Sequence, residues 1–289
     1  MQQHKQKLTK RNKEKSLKYL NMIKFKNIRS KISKLFSENQ QMKIVLKISS
    51  IFWYFRKYFL AVEINYDKVF LSNWDKIKNF SSCDRERNFT LYQYLNIHNE
   101  YFKNKETNVI EFGVSRGSSL LTIAKFVKEN TNIFAVDSFG EFSEDIKRFS
   151  TSIDDSHYQG SMVAFNKETR FKNFDTQTLI NEIENIEDFK KNKKIKLIKG
   201  HFPHKINQSD KENIENRMYS FCYLDFDLKI STLDALKFIF PRLEKNGILI
   251  IDDYNFINQE GCKIAVNEFG LNLKSCFQTH NGQLIYLKI

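Results

Sequence analysis

The chain has 289 residues, of which 41% are hydrophobic, enough for one large domain with a real core plus an extension. Its formal charge of +13 sits at one end: residues 1–60 hold 16 Lys/Arg against 2 acids, a net +14, and the remainder nets −1. A nearly neutral body excludes a broad cationic catalytic face, and with it a specific nucleic-acid partner. The cysteines Cys83, Cys222, Cys262 and Cys276 are dispersed without a CxxC pair, which reads as reduced thiols in a cytoplasmic protein.

In chain order, residues 1–42 are rich in Lys, Asn and Gln and read as helical or partly disordered. The stretch "IVLKISSIFWYFRKYFLAV", Ile44 to Val62, reads as a helix mixing aromatic and basic residues. Lys47, Arg56 and Lys57 interrupt it, so it does not meet the requirement of roughly 20 largely apolar residues for a spanning helix. No continuous apolar core marks a secretory signal. Such a helix suits peripheral contact between residues 1–62 and the anionic inner face of a membrane, and equally a packing surface for the body or a partner subunit. The expected organisation is a basic extension over residues 1–65 and a second domain over 66–289, with its core at 107–289.

A helix from about residue 85, "NFTLYQYLNIHNEYFK", leads to a regular alternation. Strands are expected at Asn108–Val114, Asn132–Phe139, Lys194–Gly200, Ser220–Asp227 and Gly247–Tyr254. Helices are expected at Ser118–Glu129, around Thr178–Phe189, at Ser231–Lys245 and within Gly261–Gly270. This alternation predicts a mostly parallel α/β sheet. The end departs from it: "SCFQTH" and "QLIYLKI" read as two strands around Asn281-Gly282, a hairpin signal in which both turn positions take positive φ. A parallel sheet closed by an antiparallel hairpin is the pattern of a Rossmann-like class I methyltransferase rather than of a dinucleotide dehydrogenase.

"IEFGVSRGSS" follows strand residues and opens a helix. Gly113 and Gly117 permit a tight turn and close backbone approach to a ligand, and the helix amides face it. Ser119 and Ser138 belong to the same candidate cofactor surface. Glu111 suits the cationic S-adenosylmethionine better than a pyrophosphate. Asp137 ends the next strand, where a carboxylate can hold both ribose hydroxyls. Farther on, Asp225 and Asp227 are alternate residues of one expected strand and so share a side. Asp252 and Asp253 end the next strand. Four carboxylates on one rim would be costly, and a hard divalent cation such as Mg²⁺ resolves the conflict. Asp234, three residues after Ser231, reads as part of a helix cap. His201 and His204 read as a surface loop near the cofactor.

Five stretches carry a family resemblance: "IEFGVSRGSS", "VDSFGEF", "KGHFP", "YLDFDLKISTLDALKFIFPRLEKNGILIIDDY" and "GCKIAVNEF". Together they resemble the macrocin O-methyltransferase family of sugar O-methyltransferases. The resemblance implies S-adenosylmethionine as methyl donor, a divalent metal, a sugar or glycoside acceptor and a homo-oligomer. Position by position it implies Asp225, Asp252 and Asp253 as metal ligands and Asp227 as general base. Glu111, Gly113 and Asp137 match its cofactor contacts. The chain departs from the family's D-G-D-L-Y-E-S-T with Phe226, Lys229 and Ile230, which changes the pocket lining. Two other readings remain beside this one: an O-methyltransferase of catechol-like diols, and a non-catalytic cofactor-binding or nucleic-acid-binding protein using the basic arm.

Overall fold

A computed structural model describes residues 64–81, 85–139, 176–185, 194–255 and 260–289. The expectations for the helix at Ile44–Val62 and the rest of the basic extension fall outside these residues. The chain divides into two units, Met1–Ile64 and Asn65–Ile289, and the second is described here.

Seven α-helices and seven strands are described in this unit: α1 (Lys68–Ile77), α2 (Arg85–Tyr101), β1 (Thr107–Phe112), α3 (Ser118–Phe126), β2 (Thr131–Asp137), α4 (Thr176–Asn185), β3 (Lys194–Lys199), α5 (Gln208–Glu215), β4 (Tyr219–Leu224), α6 (Lys229–Arg242), β5 (Leu243–Ile251), α7 (Glu260–Phe269), β6 (Cys276–Gln278) and β7 (Leu284–Leu287). The strands form one sheet in the order β3-β2-β1-β4-β5-β7-β6. β1 to β5 run parallel, and β7 and β6 close the sheet antiparallel, as the sequence pattern predicts.

The central strands are apolar runs because both faces are covered. Their alternation divides them between two cores. Ile110, Phe112, Cys222, Leu224, Leu249 and Ile251 pack against α5, α6 and α7 through Ile214, Ala235, Leu236, Ile239 and Val266. Val109, Phe221, Tyr223, Ile248 and Ile250 point the other way, onto α2 and α3 through Leu91, Leu95, Leu120, Leu121 and Ile123. Chain order reverses between β1 and β4, so the crevice at their C-terminal ends is where an open α/β sheet takes its ligands.

Three local expectations are corrected. β4 ends at Leu224, so Asp225 and Asp227 lie in the following loop and not on a strand. α6 begins at Lys229 with Leu228 as its N-cap, so Ser231 is already helical and cannot cap. Asp234 is therefore not part of a cap. It sits inside α6, 3.8 Å from His204. The hairpin turn is also longer than two residues. Gly282 N–H donates to the Thr279 carbonyl (3.3 Å) and Thr279 N–H to the Gln283 carbonyl (2.9 Å). Only Gly282 takes positive φ, at 96°, which is a turn followed by a left-handed glycine rather than Asn and Gly both left-handed.

Candidate active site

The parallel ladder runs one residue past the strand ends. Gly113 N–H donates to the Val136 carbonyl (2.9 Å), Asp225 N–H to Phe112 (2.7 Å) and Asp252 N–H to Leu224 (2.9 Å). Three loops thus leave the sheet in register, each carrying predicted site residues.

The first is the glycine loop. Gly113 has φ +86, and a Cβ there would lie 2.0 Å from the Asp225 carbonyl oxygen. The close approach that requires glycine is thus to the β4 loop, within the protein. Gly117, at φ +98, precedes α3 and starts its hydrogen-bonding with a 2.8 Å bond from Leu121 N–H to the Gly117 carbonyl. Asp137 braces this loop: one oxygen accepts Val114 N–H (2.7 Å) and Ser115 N–H (2.8 Å), the other Phe139 N–H (2.7 Å). Ser138 Oγ lies 3.4 Å from the same carboxylate. Glu111 is wholly buried, and one of its oxygens accepts the Ser119 hydroxyl. Its Oε2 has no hydrogen-bond partner among the described residues. Burial pushes the Glu111 carboxyl up to about 8, the Ser119 hydroxyl opposes this, and the nearby Asp137 and Asp252 charges add to it.

The second loop carries Asp225 and Asp227. Leu228 N–H bonds the Phe226 carbonyl at 2.5 Å, a γ-turn centred on Asp227, whose φ is +61. Positive φ at a non-glycine residue is uncommon and stores strain. This turn, and not strand alternation, brings the two acids to one side. Phe226 leaves the acids and stacks toward Phe112 and Phe202, with ring centroids 5.5 Å and 6.3 Å away.

The third loop carries Asp252 and Asp253. Oxygens of Asp225, Asp227 and Asp253 lie within 4.8 Å of one another. Asp253 and Asp225 are both held well above the usual carboxylate range. For each, burial dominates, neighbouring acids add to it and Arg87 opposes it. Asp252 is not in this cluster. Its Oδ2 accepts Arg87 Nη1, and its Oδ1 accepts the Tyr223 hydroxyl (2.7 Å) and Gln283 Nε2 (2.6 Å). Arg87 Nη1 also donates to Asp253 Oδ1 at 2.9 Å. Burial disfavours the Arg87 charge, but Asp252, Asp253 and Asp225 hold it protonated.

Arg87, Tyr223 and Gln283 were not singled out by the sequence reading. The alternation did contain a signal for one of them, Tyr223. Tyr223 and Asp252 continue the Phe221 and Ile248–Ile250 parity, which faces α2. The His204 side chain is 60% exposed, as a surface position requires.

The fold resembles that of the O-methyltransferase NovP, with a TM-score of 0.55 at 17% identity over 72% of this chain and 82% of NovP. The calicheamicin methyltransferase CalS11 aligns at a TM-score of 0.49 and 17% identity, over 78% of this chain and 94% of that one. No curated protein sequence matches. The profile of the macrocin-O-methyltransferase (TylF) family matches residues 94–275, which span β1 to β5 and every predicted site residue. The chain belongs to the macrocin O-methyltransferase family and is an S-adenosylmethionine-dependent O-methyltransferase.

Proposed function

We propose that this enzyme methylates a sugar hydroxyl with the help of Mg²⁺ or another divalent cation, in the synthesis of a glycan, a polysaccharide or a glycosylated natural product. The observation that carries the reading is the meeting of Asp225, Asp227 and Asp253 beside the glycine loop at the sheet's switch point.

The residues fit both implied groups. Glu111 presents a buried oxygen without a partner among the described residues, which suits the ammonium of S-adenosylmethionine. Gly113, Gly117, Ser119, Asp137 and Ser138 are assigned to the same cofactor, with Asp137 to the ribose. Three oxygen donors whose charges burden one another suit a hard dication. Asp225 and Asp253 would hold it. S-adenosylmethionine supplies an electrophilic methyl group. A bound dication supplies Lewis acidity that lowers the pKa of an acceptor hydroxyl.

The chain's own contribution is orientation and proton transfer. Asp227 takes the hydroxyl proton, since the γ-turn aims it into the space shared with the other two acids. The β1 and β4 loops touch at Gly113 and Asp225, so they fix the distance between donor and acceptor sites. The acceptor is assigned to the sugar class on the family's name. The same proposal includes peripheral contact of the basic residues 1–62 with the anionic inner face of a membrane, a cytoplasmic location and a homo-oligomeric state.

Incubating the full chain with methyl-labelled cofactor and a panel of nucleotide sugars and glycosides tests the reading. Label should enter a sugar hydroxyl only with added Mg²⁺. Label entering catechols but no sugar, or full activity in chelator, refutes the corresponding part. Sedimentation with anionic vesicles, with and without residues 1–62, tests the arm.

A further inference from the structure

We infer that Gln283, brought in by the C-terminal hairpin, is a positioning residue for the metal site: with Tyr223 it holds one oxygen of Asp252, so that Asp252 meets the acid rim through the other. The inference rests on the metal reading above and concerns how Asp252 is presented to the cation.

Register brings the three side chains together. Ile250 pairs with Ile285 across the antiparallel edge and Ile251 with Leu284, so the next positions along, Asp252 and Gln283, stand opposite each other. Ile250, Ile285 and Tyr223 of β4 line the face covered by α2, and Asp252 and Gln283 keep to that side. The hairpin turn fixes the Gln283 backbone: its N–H donates to Thr279 Oγ1 (3.0 Å) and its carbonyl accepts Thr279 N–H (2.9 Å). Asn281 Nδ2 ties the same turn to Thr90 Oγ1 of α2 (3.4 Å).

A carboxylate offers about four acceptor sites, two on each oxygen. On Asp252, the Tyr223 hydroxyl (2.7 Å) and Gln283 Nε2 (2.6 Å) take both sites of Oδ1. Arg87 Nη1 takes one on Oδ2 and also reaches Asp253 Oδ1 (2.9 Å), which places Oδ2 toward Asp253. The acceptor site that these three donors leave to Asp252 is therefore on Oδ2. Asp252 belongs to the rim electrically as well: of the charges acting on Asp225, its charge is the largest.

Stability does not account for a glutamine here. Its Nε2 must face the carboxylate, because Oε1 there would meet another acceptor. Oε1 is then buried with no hydrogen-bond partner among the described residues. An unmet buried acceptor destabilises the folded chain. What Gln283 contributes against that penalty is the bond to Asp252.

The test is Mn²⁺ binding to the full chain, followed by the electron paramagnetic resonance of free Mn²⁺, with a melting curve for each variant. Gln283→Met keeps the length of the side chain and removes both polar atoms. Tyr223→Phe keeps the ring and removes the hydroxyl. Each should weaken Mn²⁺ by about 10-fold or more, and the two together by more than either alone. Gln283→Met should melt within about 3 °C of the unaltered protein, since it also removes the unmet acceptor. Mn²⁺ affinity within about 2-fold of the unaltered protein in either variant overturns the inference and leaves the metal reading standing. Mn²⁺ loss in Gln283→Met that comes with a melting temperature lowered by more than about 3 °C assigns the residue to folding and also overturns it. If the unaltered protein binds no Mn²⁺ at millimolar concentration, the metal reading falls and this inference falls with it.

Discussion

Replacing Glu111 by Gln isolates the cost of one buried carboxyl. In the folded chain this group is raised from 4.5 to about 8, chiefly by burial. The sign follows from linkage: the folded state binds the proton more tightly than the unfolded state. The group's contribution is therefore fully present below 4.5 and is lost as pH rises through about 8. At about 1.4 kcal/mol per pKa unit the whole effect is on the order of 5 kcal/mol. Roughly 2 kcal/mol of it falls between pH 6 and pH 8. For a domain of this size that corresponds to about 4–8 °C in melting temperature. Gln keeps the shape, carries no titrating proton and can still bond the Ser119 hydroxyl. Urea unfolding of both proteins at pH 6 and pH 8 provides the assay, and the difference between them cancels the other titrating groups to first order. The variant should gain about 2 kcal/mol on the unaltered protein across that interval. Parallel profiles for the two proteins would refute the argument that burial holds Glu111 protonated.

Asp227→Asn should lower turnover by about 10²–10⁴-fold, while calorimetry shows S-adenosylhomocysteine binding unchanged. Asn tolerates the left-handed backbone that residue 227 adopts, so the variant should melt no lower than the unaltered protein. Gly113→Ala would put a Cβ 2.0 Å from the Asp225 carbonyl at a positive φ, which should cost about 3 kcal/mol in urea unfolding and weaken cofactor-product binding as well. His98, buried beside Ser220 (2.8 Å), is lowered from 6.5 to about 4, chiefly by burial, so its contribution is present above 6.5 and lost as pH falls through about 4. His98→Gln should therefore flatten the fall in stability between pH 6.5 and 4, worth about 3 kcal/mol, as read by denaturant midpoints. Chelator should abolish methyl transfer and excess Mg²⁺ restore it. Activity that persists in chelator would remove the metal from the reaction.

The sheet was readable because burial on both faces writes itself as contiguous apolar runs between helical periods, and "FCYL" and "ILII" are the C-terminal parts of β4 and β5. The turns were less readable, since their geometry depends on what the loop packs against. Ser231 has the spacing of a cap, yet the γ-turn at Asp227 starts α6 two residues earlier, at Lys229. Asn246 takes a left-handed φ of +63 just before Gly247. Arg87 was the hardest to foresee. It lies 165 residues from Asp252 in sequence, and only the packing of α2 on one face of β5 brings them together.

That packing ties the glycine loop to the acid cluster. The Asp225 backbone is bonded to the end of β1, its carbonyl fills the space a side chain at Gly113 would need, and Asp252 N–H is bonded to the end of β4. A shift of the glycine loop must move Asp225, and a shift of β5 must move Asp252 and, through Arg87, Asp253. Phe226 adds a wedge to this linkage by stacking on Phe202 and meeting Phe112 at a tilt. In its direction the large residue between the two acids therefore acts on the first core, holding the γ-turn against β1. Phe226→Gly, which restores the residue common among relatives, should then loosen the turn: the apparent affinity for Mn²⁺ should fall together with turnover, while the choice among sugar acceptors stays the same. A changed acceptor ranking with Mn²⁺ affinity intact would instead assign Phe226 to the acceptor pocket and refute the wedge.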